Sequence, residues 1–190
     1  MLLITPEPKA DTAPGFDDFL ERLDRVLASG IALVQLRAKG PSPDSFDVLA
    51  AQALRICREH GARLILNGPG CDFGSVDADG LHLSSERLMR CSRRRVPDSK
   101  LLSAACHTEE QLAQAERVGV DLVTLSPVLP TSSHPDAPTL GWQRFGELVA
   151  QTCVPVYALG GMTRAHCAKA RAFGAHGIAA ITGLWQPGLG

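Results

Sequence analysis

Short apolar runs alternate along the chain with longer segments whose apolar residues recur at three- and four-residue spacing. The runs predict β-strands, and the longer segments predict helices that bury one face. The predicted strands cover residues 2–5, 31–37, 62–67, 80–84, 101–106, 121–126, 154–159 and 176–182. The predicted helices cover residues 16–29, 44–60, 108–118, 142–151 and 163–173. The strands are apolar almost without interruption, which is typical of a parallel sheet covered on both faces.

A glycine stands between a helix and the next strand at Gly30, Gly61, Gly119 and Gly174. Helices commonly end next to a left-handed residue of this type. The repeated order of helix, glycine and strand predicts a (β/α)8 TIM barrel, with an open doubly wound sheet as the weaker alternative. At 190 residues the chain has room for one domain, which we place over residues 1–190.

Two of the strand–helix units are irregular. Residues 68–74 contain three glycines and a proline, so the third helix is predicted to be degenerate. The sequence ends at Gly190, and Pro187 and Gly188 follow the eighth strand closely. The last helix is therefore predicted to be truncated.

The composition narrows the classes of partner and of site. Nineteen Lys and Arg against twenty Asp and Glu give a net charge of -1, so no basic surface for nucleic acid or an anionic membrane is expected. No apolar stretch is long enough to cross a membrane, and the start of the chain lacks the pattern of a secretory signal. The six cysteines form no Cys-x-x-Cys pair, which favours core thiols in a reducing cytoplasm over a zinc site or disulfides.

Two glycine-containing turns follow the seventh and eighth predicted strands. Their sequences are Leu-Gly160-Gly161-Met and Ile181-Thr182-Gly183. Small residues leave backbone N–H groups accessible to an anion. The loops after strands seven and eight of a TIM barrel are also the usual phosphate site. The two turns therefore predict a phosphate cradle.

Polar side chains follow the second and third predicted strands. Gln35, Arg37 and Lys39 alternate in an extended segment, so their side chains share one face and suit a pyrophosphate or another polyanion. The alternative is a structural layer in which these side chains pair with carboxylates. Asn67 ends the third strand, where it either donates to a ligand phosphate or caps a short helix.

The loop after the sixth strand, residues 127–136, is long, rich in hydroxyl groups and bounded by prolines, as ligand-covering loops often are. His134 in this loop is a candidate acid–base group or phosphate donor, against the alternative of a solvated histidine. His107 precedes a predicted helix N-cap, so a structural role is favoured for it. His82 is expected to be a hydrogen-bonded residue of the barrel.

Seven segments, taken in order, resemble the thiamine phosphate synthase and TenI superfamily. They are Val-Gln35-Leu-Arg37-Ala-Lys39, Leu-Ile-Leu-Asn67, Ala-Asp79-Gly80-Leu-His82-Leu, Ala-Cys-His107-Thr108, Ser-Pro127-Val-Leu-Pro130-Thr131-Ser-Ser133, Leu-Gly160-Gly161-Met and Ile181-Thr182-Gly183. The segments span almost the whole chain and fall at the predicted strand ends. The resemblance implies a (β/α)8 barrel. It also implies either a synthase, which joins a pyrophosphorylated aminopyrimidine to a thiazole phosphate and releases pyrophosphate, or a TenI-type protein such as a thiazole tautomerase.

The resemblance also implies site residues. The positions that match those holding the pyrimidine pyrophosphate are Gln35, Arg37, Lys39 and Asn67. The positions that match those holding the thiazole phosphate are Thr131, Ser133, Gly161, Ile181 and Thr182, with Gly160 in the same turn. We take His134 and Lys39 as the catalytic candidates.

The sequence departs from the synthase pattern at the magnesium ligands. The synthases place one Asp directly after the Asn of the third strand and another a few residues past the fourth strand, where this chain has Gly68 and Arg87. The change predicts that the usual magnesium site is largely lost, so no metal ligand and no certain cofactor is assigned. His134 replaces a synthase lysine, Ala105 replaces a serine, and Pro127 stands where the tautomerases carry a catalytic histidine.

These departures favour a TenI-like barrel that binds a phosphorylated thiazole or thiamine fragment without the normal magnesium-dependent synthase activity. The alternatives are an active thiamine phosphate synthase and a non-catalytic ligand-sensing domain of a Nudix hydrolase fusion. The chain begins almost directly at its first strand, which motivates the fusion hypothesis. The expected partner is a small phosphorylated metabolite rather than nucleic acid or a membrane, and an upstream Nudix domain and a homo-oligomer are further expectations.

Overall fold

The computed structural model describes residues 1–9, 15–69, 76–131 and 138–186. Within them, eight parallel strands close into a barrel in chain order. The strands are β1 (Leu2–Ile4), β2 (Leu33–Arg37), β3 (Arg63–Asn67), β4 (Gly80–Leu83), β5 (Leu101–Cys106), β6 (Leu122–Leu125), β7 (Val156–Ala158) and β8 (Gly177–Ala180). The predicted (β/α)8 barrel is confirmed, and the open sheet is wrong. Most strands are shorter than predicted. Residues at the predicted ends, such as Ile31 and Thr182, lie in a loop and in a helix instead.

Helices connect successive strands on the outside of the barrel. They are α1 (Asp17–Leu27), α2 (Pro43–Glu59), α3 (Ser85–Met89), α4 (Glu109–Val118), α5 (Gly141–Val149), α6 (Cys167–Ala172) and α7 (Thr182–Trp185), with a 3-10 turn at Arg164–His166 before α6. Four of the connecting glycines, at positions 30, 61, 119 and 174, have positive φ, as their predicted place at helix ends requires.

The irregular units agree with the sequence where the structure describes them. Residues 68–69 and 76–79 between β3 and β4 contain no helix, and residues 70–75 lie outside the described part. The last helix, α7, has four residues. The sequence pattern missed the short α3, whose first turn is capped where the Arg87 N–H donates to Ser84 Oγ at 3.3 Å.

Apolar side chains form two layers, one on each side of the sheet. The inner layer fills the barrel with Leu2, Ile4, Ile65, Leu122, Tyr157 and Ala179. The outer layer lies between the strands and the helices and contains the larger part of the core, including the fully buried Phe46 and Phe145. Because side chains alternate between these layers along each strand, a polar residue at an inner position must face the interior of the barrel.

Two aspartates at strand starts tie neighbouring strands together. Asp79 precedes β4 and accepts from the Leu64 N–H of β3 at 2.7 Å. Asp121 precedes β6 and accepts from the Leu102 N–H of β5 at the same distance, while Arg94 pairs with it at 2.9 Å. These contacts lie at the amino ends of the strands, the end of a TIM barrel that serves stability rather than chemistry.

The cysteines do not share one environment, so their assignment as core thiols is only partly correct. Cys57 and Cys106 are buried, and burial raises the pKa of each thiol to about 12. Cys153 is exposed, and Cys91 and Cys167 are half-buried. Among the described helices, none is both long enough and apolar enough to span a membrane.

Candidate functional site

The polar residues Gln35 and Arg37 of β2 occupy inner positions toward the carboxyl end of the barrel. Gln35 lies opposite Ile4 of β1 and Ile65 of β3, both of which belong to the inner layer, so its side chain faces the interior. It is only 2% exposed, and its Oε1 has no hydrogen-bond partner among the described residues. A buried amide oxygen without a partner is costly, so a ligand or water that donates to it would be stabilised there.

Arg37 shares this face and contacts a carboxylate. Its Nη1 lies 2.7 Å from Glu7 Oε2, so the alternative of carboxylate pairing applies to this side chain. The pair is not sealed in the protein, because the Arg37 and Glu7 side chains remain 33% and 38% exposed. Lys39 lies beyond the end of β2 and is exposed. Arg37 and Lys39 therefore remain accessible to an anion at the barrel mouth.

Asn67 lies next to Arg37 across the sheet. The two residues are in register at the ends of β3 and β2, and the Ala38 N–H donates to the Asn67 carbonyl at 3.1 Å. Between Asn67 and β4, the described residues 68–69 and 76–79 contain no helix, and residues 70–75, where a capped helix would lie, are outside the described part. Its position beside Arg37 favours the ligand-donor alternative.

Gly68 occupies the position of the first synthase aspartate and has no room for that side chain. A Cβ atom at position 68 would lie 2.2 Å from Cε2 and 2.5 Å from Cζ of Phe46. Phe46 belongs to α2 and is only 2% exposed, so its ring is held by the core. An aspartate at this position would require Phe46 to move.

The second aspartate position holds the cation Arg87, in the first turn of α3. The neighbouring Glu86 pairs with Arg90 at 2.7 Å on the surface of the same helix. Within residues 1–9, 15–69, 76–131 and 138–186, no three His, Cys, Asp or Glu side chains come together as a metal site. The residues at both expected ligand positions therefore do not fit the family's magnesium ion.

The middle of the barrel carries further polar groups. His82 of β4 is 4% exposed, and its Nδ1 lies 2.9 Å from Ser103 Oγ of β5, which confirms the prediction of a hydrogen-bonded barrel residue. Burial lowers the pKa of His82 to about 3, with smaller contributions from the positive charges of Arg87 and Lys39. His82 is therefore neutral at physiological pH.

The two glycine turns after β7 and β8 contact each other. A Cβ atom at Gly183 would lie 2.1 Å from the Met162 carbonyl oxygen, and one at Gly161 would lie 2.7 Å from the Pro130 carbonyl oxygen. Gly161 also has a φ of 67°, a backbone conformation that residues other than glycine rarely adopt. The close approach brings the ends of β6, β7 and β8 together.

Backbone N–H groups at this junction remain without acceptors. In the described part of the chain, no acceptor is found for the N–H groups of Gly161, Thr182 and Gly183. Groups of this kind bind phosphate oxygens well, because each is a fixed donor that no side chain covers. The two turns predicted to form a phosphate cradle therefore meet at one junction, and phosphate binding there stays a prediction.

The short helix behind the cradle is held from outside by α1. Arg22 Nε donates to the Trp185 carbonyl at 3.2 Å, and the Phe19 and Trp185 rings pack with centroids 5.0 Å apart. These contacts satisfy a carbonyl at the end of α7 and fix the position of Thr182 at its start.

The loop after β6 is described only in part. Thr131 is half-buried and follows Pro130, whose carbonyl approaches Gly161, so Thr131 lies beside the cradle. Ser133 and His134 lie outside the described residues. His107 Nδ1 lies 2.8 Å from the Ser126 carbonyl oxygen, and its backbone N–H donates to Gln111 Oε1 at 2.7 Å. The Gln111 N–H in turn donates to Thr108 Oγ1, so the capping pattern is present and His107 has a structural role.

Three contributors were missed by sequence reasoning. Glu7 was not considered, because its partners are thirty or more positions away in the chain. Phe46 was not singled out either, because its approach to Gly68 depends on how α2 packs on the sheet. Thr124 of β6 is 1% exposed and its Oγ1 has no partner among the described residues, a signal that requires the burial to be known.

Comparison with known proteins gives a consistent match. A family model described as thiamine monophosphate synthase matches residues 2–184. A putative thiamine-phosphate synthase 2 from Aquifex aeolicus is 34% identical over 166 residues, covering 87% of this chain and 89% of that protein. A thiamine-phosphate synthase from Parasynechococcus marenigrum is 35% identical over 165 residues, but this chain spans about half of its length, 47%.

The same fold is found among solved structures. A thiamine phosphate pyrophosphorylase from Pyrococcus furiosus superposes with a TM-score of 0.74, covering 95% of this chain and 84% of that one. The sequence identity is 22%, so this likeness shows the fold alone.

Proposed function

Because the chain belongs to the thiamine monophosphate synthase family, we propose that it is a thiamine phosphate synthase. In this reaction, a pyrophosphorylated aminopyrimidine is joined to a thiazole phosphate, and pyrophosphate is released. The single observation that supports the assignment best is the presence of two different anion-binding groups at one barrel mouth. The names of the similar Aquifex and Parasynechococcus proteins agree with it.

The cradle after β7 and β8 would hold the thiazole phosphate. The free N–H groups of Gly161, Thr182 and Gly183 are directed donors, and the contact between Gly183 and Met162 keeps the space small. A single phosphate monoester matches such a site, because all its oxygens accept hydrogen bonds and no counter-charge is needed.

The β2 side would hold the pyrophosphate group. Arg37 and Asn67 end neighbouring strands there, and Lys39 follows Arg37 two residues later. In the reaction, the leaving pyrophosphate takes the electron pair of the bond that breaks. Its negative charge therefore grows during the step, and fixed cations at this place stabilise the transition state. Arg87 follows β4 directly, in α3, and adds a further positive charge at the carboxyl end of the barrel.

The magnesium ion used by the synthases has no matching site in the described residues, and no step is assigned to it here. Phe46 fills the place of one ligand, and Arg87 replaces the other. This observation favours a second candidate function. In it, the barrel binds a phosphorylated thiazole or thiamine fragment but does not carry out normal magnesium-dependent synthesis.

One assay separates the two candidates. Thiamine phosphate formation is measured with both substrates at saturation, with magnesium and with a chelator. Turnover that survives the chelator supports a synthase that relies on fixed cations, and turnover that requires magnesium would show that the metal site is rebuilt elsewhere. No turnover under either condition, together with calorimetric binding of thiazole phosphate that is lost in Thr182→Arg, would support the second candidate.

A further inference from the structure

Glu7 reaches from the loop after β1 to the end of β2. Its Oε2 lies 2.7 Å from Arg37 Nη1. Its Oε1 accepts two backbone hydrogen bonds, from the Lys39 N–H at 2.5 Å and from the Gly40 N–H at 2.8 Å. One carboxylate thus contacts the guanidinium and the backbone of the lysine that we place against the pyrophosphate.

The segment that carries Glu7 is itself well fixed. Pro6 and Pro8 flank Glu7 and restrict its backbone. Thr5 adds a second link to β2, because its Oγ1 accepts from the Arg37 N–H at 2.9 Å and donates to the Arg37 carbonyl at 3.3 Å. The end of β1 therefore holds the end of β2 through both main chain and side chains.

The arrangement leaves much of the guanidinium for a ligand. Glu7 contacts Arg37 through Nη1, and an arginine carries five N–H donors in a rigid fork. A carboxylate that fixes one corner of the fork lowers the number of rotamers that the side chain must lose when an anion binds. The same carboxylate orders the turn from which the Lys39 side chain projects.

We infer that Glu7 is a positioning residue, which sets Arg37 and the Lys39–Gly40 turn for the pyrophosphate group of the substrate. The inference rests on the proposed function, since it names a further residue at the same anion site. The opposite expectation is that Glu7 competes with the anion, because its negative charge occupies donors that a phosphate oxygen would otherwise use. The two roles predict opposite signs for the same substitutions.

The test is calorimetric titration of inorganic pyrophosphate into the protein in the presence of a chelator and at constant ionic strength. Glu7→Asp keeps the charge but is one methylene too short to contact all three donors, and Glu7→Ala removes the contacts altogether. We expect each to weaken binding about tenfold, roughly the effect of one charge-assisted hydrogen bond. Glu7→Gln keeps an oxygen for the Lys39 and Gly40 N–H groups but turns an NH2 group toward Arg37, so we expect it to weaken binding by less than Glu7→Ala does, about threefold.

Controls separate positioning from a change of charge or of fold. Glu59→Ala removes another carboxylate that pairs with an arginine, Arg55 at 2.6 Å on α2, and should leave pyrophosphate binding unchanged. In an Arg37→Ala background, Glu7→Ala should have a smaller effect than in wild type, because one of the groups it positions is absent. Melting temperatures of all variants establish that each is folded.

Three results would overturn the inference: tighter binding by Glu7→Gln and Glu7→Ala, unchanged binding by all three Glu7 variants, or no pyrophosphate binding by the wild-type protein. Failure of the proposed function would look different. In that case pyrophosphate binding would still depend on Glu7, but no thiamine phosphate would form. If turnover is present, Glu7→Asp should raise KM for the pyrimidine pyrophosphate and leave KM for the thiazole phosphate unchanged.

Discussion

The two regions at the barrel mouth that we propose to bind anions offer different chemistry. The cradle after β7 and β8 offers uncharged backbone N–H groups in turns that contact each other closely, as Gly183 and Met162 show. The region after β2 and β3 offers the charged side chains of Arg37 and Lys39, partly exposed and adjusted by Glu7. The first suits a phosphate of one size that stays bound, and the second suits a larger anion whose charge grows as it leaves.

The cradle should be the region most sensitive to an added methyl group. Gly183→Ala would place a Cβ atom 2.1 Å from the Met162 carbonyl oxygen, a backbone atom that cannot move without displacing the turn. We expect thiazole phosphate affinity to fall by at least about 100-fold and the free energy of unfolding to fall by about 1–3 kcal/mol. Calorimetry and urea unfolding measure the two effects.

Gly119→Ala is the matched control for this change. Gly119 has a φ of 78° but nothing within 4 Å of an added Cβ atom, so it tests backbone strain without a clash. Thiazole phosphate binding should stay normal in this variant. Equal loss of affinity in both variants would mean that general destabilisation, rather than the shape of the cradle, controls binding.

A substitution in the charged region should weaken the binding of pyrophosphate and leave the binding of thiazole phosphate largely unchanged. Arg37→Ala removes a guanidinium that faces the barrel mouth, and we expect pyrophosphate affinity to fall about tenfold or more, with a weaker dependence on salt. Thiazole phosphate affinity should change by less than about twofold. Arg55→Ala, which removes an exposed arginine on α2, is the control. Loss of thiazole phosphate binding in Arg37→Ala would show that the two regions are not separate.

Position 68, where the synthases carry a magnesium-binding aspartate, gives a further test of the charged region. Gly68→Asp alone should destabilise the protein by about 1–3 kcal/mol, because its Cβ atom would overlap the ring of Phe46. Adding Phe46→Leu should recover part of this loss by making room for the carboxylate. Urea unfolding of the single and double variants measures the coupling. Additive effects would mean that Phe46 does not limit position 68.

The smallest effect concerns His82, which is buried on β4. Its pKa is about 3, well below the ordinary value near 6.5, mainly because the ring is buried. The folded protein therefore binds a proton less readily than the unfolded chain, so His82 contributes stability that is present above pH 6.5 and is lost as the pH falls toward 3. The slope of unfolding free energy against pH in this window should be reduced in His82→Gln. An equal slope in the wild-type protein and in His82→Gln would show that folding does not lower the pKa of His82.

The sequence predicted the barrel well because its signals are local. Apolar runs mark the strands, and Gly30 or Gly119 marks a helix end that only a few residue types can form. The short helix α3 was missed because five residues give no periodic pattern. The position of the two glycine turns was also predictable, since each follows a strand directly.

The contacts that adjust the site were not predictable in the same way. Glu7 and Arg37 are 30 positions apart and meet only because β1 and β2 are neighbours in the closed barrel. The conflict between Gly68 and Phe46 likewise depends on how α2 packs on the sheet. Substitutions at the magnesium positions could be seen in the sequence, but not the reason that an aspartate would no longer fit.

The claim that two distinct anion sites share one mouth has a direct test. Thiazole phosphate is titrated by calorimetry into the wild-type protein, first alone and then with inorganic pyrophosphate at saturation. The account predicts one thiazole phosphate bound per chain in both titrations, with binding lost in Thr182→Arg. Exclusion of thiazole phosphate by pyrophosphate, or no binding of it at all, would contradict the account.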